Sequence, residues 1–223
     1  MNDVIEIVRK EIIKEDNWGK DDLAIERFHP SESGKCERQI FLSKIRAKTF
    51  SERIRASMEV GTILHRYVQK LWDIKEFFDI EVQVKTDVPD SKIYFRGNAD
   101  LVAKDKSVVI DLKAINGLSY VKDNPMTEHI YQLMVYMKGL EIPNGEIIYI
   151  NKGDLEMVRH KIDLTSEIRL NKAYAKVKAV YEALKIWDAQ PRWDKIPFPK
   201  DSCYHCRSEM LDPQFKKLLE GEE

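Results

Sequence analysis

Two aspartates and a lysine, set on either side of a short polar turn, are the residues of this chain best suited to chemistry. The stretch 93–115, IYFRGNADLVAKDKSVVIDLKAI, has apolar runs at Ala99 to Ala103 and Val108 to Ile110 about the tetrapeptide Lys104-Asp105-Lys106-Ser107. That is the composition of a β-hairpin and its loop. A symmetric loop pairs Ala103 with Val108, Val102 with Val109, Leu101 with Ile110 and Asp100 with Asp111. Directly opposed side chains on antiparallel strands lie ~5 Å apart at Cβ, and like charges there repel, so two facing carboxylates ask for a cation. Alternation along the strand puts Asp111 and Lys113 on one face and Ile110 and Leu112 on the other. Hard carboxylate oxygens beside an ammonium suit Mg²⁺ or Mn²⁺, which take one or two carboxylates together with phosphate oxygens. The chemistry on offer is attack on a phosphodiester. Solvent-facing Asp and Lys on an exposed hairpin would need no ion at all, so the surrounding elements must decide.

Those elements can be read in order. An amphipathic helix is expected over 3–16, with Val4, Ile5, Val8, Ile12 and Ile13 on one side. Pro30 with Ser31 or Ser33 starts a second helix whose inner face carries Cys36, Ile40 and Phe41. A long helix follows over 51–77, with His65 in its apolar stripe, and residues 79–85 alternate as a strand of the same sheet as the hairpin. Glu81 on that strand either joins the acidic face or stands in solvent with Gln83 and Lys85, the reading favoured here. Pro125 opens a helix ending near Gly139, on which Gln132 and Tyr136 are four apart and share a side. Two strands about Asn151-Lys152-Gly153 come next, then a helix over 165–189 with Leu170, Ala173, Val177, Val180, Leu184 and Trp187 inward. A Pro-rich segment leads to Cys203 and Cys206 and a short terminal helix.

Composition bounds the class. The chain has 223 residues, 43% hydrophobic and 34% charged, with no low-complexity linker, which fits one globular unit. Its net charge of −1 excludes a global basic signature, but Lys35, Arg38, Lys44, Arg46, Lys48, Arg53 and Arg55 crowd one segment. They form either a solvated helical face or a phosphate-binding rim. No run approaches the ~20 apolar residues of a membrane span, and the first residues lack the order of a signal peptide. Three cysteines without a secretion signal argue against a disulfide framework, so an intracellular, cytoplasmic location is expected.

Taken together, the motifs resemble the PD-(D/E)XK nuclease superfamily, in particular its RecB-like branch and the CRISPR-associated relatives that carry an iron–sulfur cluster. The matching residues are C-x-R at Cys36 and Arg38, the helical His65, G-x-x-D at Gly97 to Asp100, D-x-K at Asp111 to Lys113, Q-x-x-x-Y at Gln132 to Tyr136, and C-x-x-C at Cys203 to Cys206. Each is a weak pattern alone; six in the family's order are not. The resemblance implies an α/β restriction-endonuclease-like fold, a central mixed sheet flanked by helices, with the N- and C-terminal segments joined at a cysteine cluster. It implies one nuclease domain over 1–223, with an N-terminal helical part to about residue 60, a core over 61–163 and a C-terminal helix with the Cys203 and Cys206 segment over 164–223.

Roles are implied residue by residue. Asp100 and Asp111 would hold Mg²⁺ or Mn²⁺, with His65 and the backbone carbonyl of Leu112 as further ligands and Glu81 as an optional one. Lys113 would orient the attacking water, Gln132 and Tyr136 would position the strand, and Arg38, Lys44 and Arg46 would contact DNA. Cys36, Cys203 and Cys206 would hold an iron–sulfur cluster, although the family's fourth cysteine is replaced by Asp212. His205 or Asp212 could complete that cluster; a structural Zn²⁺ or three unligated thiols are the alternatives. The implied activity is metal-dependent DNA cleavage, as an exonuclease on single strands or DNA ends, with partners from recombination, repair, phage replication or CRISPR adaptation. The alternative is an inert DNA-binding or adaptor subunit of the same fold.

Overall fold

The structure, a computed structural model, describes residues 24–45, 51–165, 167–189, 196–199, 203, 206 and 217. In chain order it contains β1 (Arg27–Phe28), a 3-10 turn (Pro30–Glu32), α1 (Glu37–Lys44), α2 (Glu52–Lys70), α3 (Trp72–Phe77), β2 (Phe78–Asp87), β3 (Tyr94–Ala103), β4 (Val109–Ile115), α4 (Thr127–Leu140), β5 (Asn144–Asn151), β6 (Met157–Asp163) and α5 (Ile168–Ala189). This is the α/β class expected, a mixed sheet flanked by helices. The helix expected over 3–16, the terminal helix, and Arg46, His205 and Asp212 lie outside the described residues.

β2, β3 and β4 form an antiparallel meander. The hairpin register is the one that alternation predicts, with Leu101 opposite Ile110 and Val102 opposite Val109. Its loop closes as its polar residues require: Lys106 takes a left-handed φ of 57°, and the Asp105 carboxylate accepts the Ser107 N–H at 2.9 Å. From β4 the chain crosses by way of α4 to β5, which runs parallel to β4 from Val109 against Gly145 to Ile115 against Asn151. Parallel pairing needs such a crossover. β6 then returns antiparallel to β5.

Between β3 and β4 the ladder stops after two residue pairs. The strands part beyond Leu101 and Ile110, and β1 pairs with the start of β3, Arg27 lying against Tyr94. β2 runs along the other edge of β3 from Phe78 against Ala103 to Asp87 against Tyr94. The sheet is therefore forked, and Asp100 and Asp111 stand at the crotch.

The main core lies beneath α4 and α5, where Phe28, Phe95, Val109, Ile147 and Tyr149 pack against Leu133, Met134, Met137, Val177 and Val180. The stripe expected on α5 is buried as predicted from Leu170 to Leu184, and Trp187 meets the Phe41 ring edge-on at 5.3 Å. Thr86, itself buried, donates to the Val135 carbonyl at 2.8 Å and ties β2 to α4. On the opposite face Leu101, Ile110 and Leu112 form a small cluster with Val68, Ile74 and Ile80.

Two helix readings need correction. The helix expected over 51–77 breaks at Leu71, whose ψ of 133° is extended; Val68 of its apolar stripe packs against Leu101, Ile110 and Leu112, while Ile54, Met58, Ile63 and Tyr67 are exposed. α2 is seated by small and polar contacts: Gly61 lies against Ala114, and Lys152 Nζ donates to the Ser57 carbonyl at 2.6 Å and hydroxyl at 2.9 Å. The helix expected from Pro30 is one 3-10 turn, and α1 begins only after Cys36. Lys176 Nζ takes the Ser33 and Lys35 carbonyls at 2.7 and 2.9 Å, acceptors that a continuous helix would need for itself.

Candidate active site

The fork brings the predicted residues together from four elements. Asp100 lies on β3 one residue beyond the last pair with β4, and its Oδ2 accepts the Leu112 N–H at 2.7 Å, bridging the two strands where they part. Asp111, one residue past the last pair on β4, is buried. Lys113 follows on the same face, its Nζ 3.0 Å from Asp111 Oδ1 and 2.8 Å from Oδ2. α4 supplies the lid: Gln132 Oε1 accepts from Lys113 Nζ at 3.1 Å, while Gln132 Nε2 donates to Asp111 Oδ1 at 3.3 Å and to the Tyr136 hydroxyl at 3.4 Å. α2 supplies His65, with Nδ1 3.7 Å from Asp100 Oδ1.

Burial dominates the electrostatics. It pushes both Asp100 and Asp111 up to about 6, against the downward pull of Lys113, and each site feels a neighbouring carboxylate. Burial, followed by the Lys113 charge, lowers His65 and keeps its imidazole neutral, the form that ligates metals. Asp111 Oδ2 is fully buried yet receives no N–H along a hydrogen-bonding direction, although Lys113 Nζ is close. A buried lone pair left open in this way, with a second carboxylate and a neutral imidazole beside it, fits a divalent cation. Asp100, Asp111 and His65 are the side chains that would hold it, with the carbonyl of Leu112 between Asp111 and Lys113.

The raised carboxyls have a consequence for pH. Metal binding must displace any protons they hold, so the affinity for Mn²⁺ should fall as pH drops through about 6 and level off above it. Calorimetric titration of Mn²⁺ between pH 5 and 8 measures it, and an affinity that does not change across that range contradicts the coupling.

Not every expected residue belongs here. Arg38 is corrected: its guanidinium is buried and donates to the Phe198 carbonyl at 2.5 Å, linking α1 to the C-terminal segment instead of facing DNA. Lys44 donates to the Arg27 carbonyl and lies 4.8 Å over the Phe28 ring, so it serves the fold as well. Glu81 is exposed, as the strand alternation suggested, but it falls between the pairs Ile80–Leu101 and Val82–Ala99, on a φ of 52° that interrupts the ladder beside Asp100, and accepts from the buried Gln69 Nε2 at 2.7 Å. A non-glycine residue held left-handed within a strand is strained, and the Glu81 carboxylate is close enough to raise Asp100.

One neighbour escaped sequence reading. His129 lies three residues before Gln132 and seven before Tyr136, on the same side of α4, and its Nδ1 is 2.9 Å from the Tyr149 hydroxyl. That hydroxyl also accepts the Met126 N–H at 2.9 Å, and burial depresses His129 to about 3. Tyr149 is paired with Lys113 across β4 and β5. The helical spacing to Gln132 was the available signal.

No protein-family model matches the chain, and no curated protein matches it. Solved structures do share its fold. That of SSO0001 is 17% identical at a TM-score of 0.54, covering 86% of this chain and 91% of its own. An alkaline exonuclease from Laribacter hongkongensis, LHK-Exo, is 15% identical at a TM-score of 0.53, covering 78% of this chain and 100% of its own, and has also been solved in complex with dAMP. A putative exonuclease from Eubacterium rectale is 11% identical at a TM-score of 0.51, covering 87% of this chain and 94% of its own. Among the described residues no helix is long and apolar enough to cross a membrane.

Proposed function

We propose that this chain is a metal-dependent deoxyribonuclease of the PD-(D/E)XK superfamily, one domain over 1–223, acting inside the cell as an exonuclease on single-stranded DNA or DNA ends. The observation that carries the reading is the buried Asp111 carboxylate beside the half-buried Asp100 carboxylate at the fork, with Lys113 Nζ shared between Asp111 and Gln132. The fold likeness to exonucleases, one of them solved with a nucleotide, supports it. A bound Mg²⁺ or Mn²⁺ would supply Lewis acidity toward the scissile phosphoryl group.

The chain's own groups do the rest. Lys113 orients the attacking water and offers its charge where negative charge gathers on the phosphorus oxygens. Gln132 fixes the direction of the ammonium by accepting one of its protons, and the Tyr136 hydroxyl, pushed above its ordinary value by burial, remains a neutral donor toward the strand. Glu81, held by Gln69, adds an acidic rim next to Asp100. End-labelled single- and double-stranded DNA with Mg²⁺, Mn²⁺ or chelator tests the proposal. Divalent-dependent loss of label supports it. DNA binding indifferent to divalent ions, without cleavage, replaces it by the adaptor reading.

His129 is assigned to the strand adjoining the scissile bond. Its Nδ1 is engaged by Tyr149, its Nε2 lies 3.8 Å from the Glu128 carboxylate, and the side chain is 16% exposed. His129→Phe should raise KM by roughly tenfold or more with a smaller change in kcat, as loss of a hydrogen bond to a charged phosphate predicts. Steady-state kinetics on a short oligonucleotide reads the split; an unchanged KM removes the assignment.

A further inference from the structure

The three cysteines form a second site, remote from the fork along the chain. Cys36 Sγ lies 3.4 Å from Cys203 Sγ and 3.3 Å from Cys206 Sγ, and the last two are 3.5 Å apart. The triangle is nearly equilateral and its members are 167 and 170 residues apart along the chain from Cys36. We propose that these thiolates bind a single tetrahedral Zn²⁺, not an iron–sulfur cluster.

The separations decide between the two. Zn–S bonds of about 2.3 Å at tetrahedral angles put the sulfurs about 3.8 Å apart, close to the triangle seen here. In a cubane cluster each cysteine binds a different iron and points outward from the cube, so the sulfurs stand well beyond contact with one another. These three converge on one point instead. The count agrees: the chain has three cysteines in all, one short of the usual cluster set, whereas a zinc site closes with any one further nitrogen or oxygen donor.

The surroundings suit thiolates. Cys36 is the N-cap of α1, so its sulfur lies at the positive end of the helix, where a thiolate is favoured. Gln39, one turn on, donates its Nε2 to Cys203 Sγ at 3.3 Å. Lys176, fixed on the Ser33 and Lys35 carbonyls, is near enough to interact with the charge of Cys36. Donors of this kind around a ligand sulfur tune and orient a metal site. The ion would fasten the start of α1 to the C-terminal segment.

The test is metal and labile-sulfide analysis of the full chain purified without oxygen, followed by exchange with Co²⁺. About one zinc per chain, no labile sulfide, and a cobalt form with thiolate charge-transfer and intense tetrahedral bands are expected. Cys203→Ser should lose the zinc, and Gln39→Leu should weaken its binding roughly tenfold. If Cys203→Ser does not fold, the metal content of the unaltered chain and the Gln39→Leu affinity still decide. Iron with stoichiometric labile sulfide overturns the proposal, as does metal-free protein with three titratable thiols or a disulfide. None of these readouts involves cleavage, so failure here is separable from failure of the nuclease reading.

Discussion

Asp111→Asn should abolish divalent-dependent cleavage, by about 10³-fold or more, while leaving the metal-free chain at least as stable as before. The two halves of this result have one cause. Asp111 is 1% exposed, and burial raises its carboxyl because the charged form is poorly solvated there. An amide of the same shape avoids that desolvation and can keep the contact with Gln132, but it no longer offers an anionic oxygen to a cation. Lys113→Met should lose a comparable factor through the opposite charge. Gel assays of labelled DNA with Mg²⁺ or Mn²⁺, paired with thermal unfolding in chelator, measure both halves. An active Asp111→Asn enzyme removes the assignment; an inactive one that is also unfolded transfers the test to Lys113→Met.

Gly34→Ala should strongly destabilise the fold, away from the fork itself. A Cβ at this position would lie 2.6 Å from Glu128 Cβ and 2.8 Å from the Glu128 carbonyl oxygen, and backbone cannot yield as a side-chain tip can. The first turn of α4 must move, and with it His129 and Gln132. Overpacking of this kind costs about 3 kcal/mol, a fall of roughly 10 °C in Tm for a chain of this size. Calorimetry measures it; an unchanged Tm would mean that the approach of Gly34 to α4 is looser than described.

Much of this could be read from local pattern. The hairpin was legible because its loop residues and its alternation are short-range signals, and both the register and the pairing of Asp111 with Lys113 follow from a period of two. Gln132 and Tyr136 were legible because four residues make one helical turn. What could not be read depends on contacts distant in sequence. Alternation does not reveal that the β3–β4 ladder ends early, so Asp100 was expected simply to face Asp111, whereas it also receives the Leu112 N–H. The break after α2 at Leu71 was not legible, and Lys152 and Gly61 help seat the helix by contacts that no periodicity encodes. Arg38 looked like a surface cation because composition does not reveal that the Phe198 carbonyl waits inside for it.

The short β3–β4 junction also bears on mechanics. One leaf of the sheet, β1 to β3, meets the other, β4 to β6, through only two residue pairs, and the acids flank that seam from either side. Any twisting of one leaf against the other is therefore felt first as a change in the gap between Asp100 and Asp111. A divalent ion gripped by both would act as a rivet across the seam, stiffening the whole sheet at the moment the site becomes competent. Amide exchange along β3 and β4 would slow together when it binds.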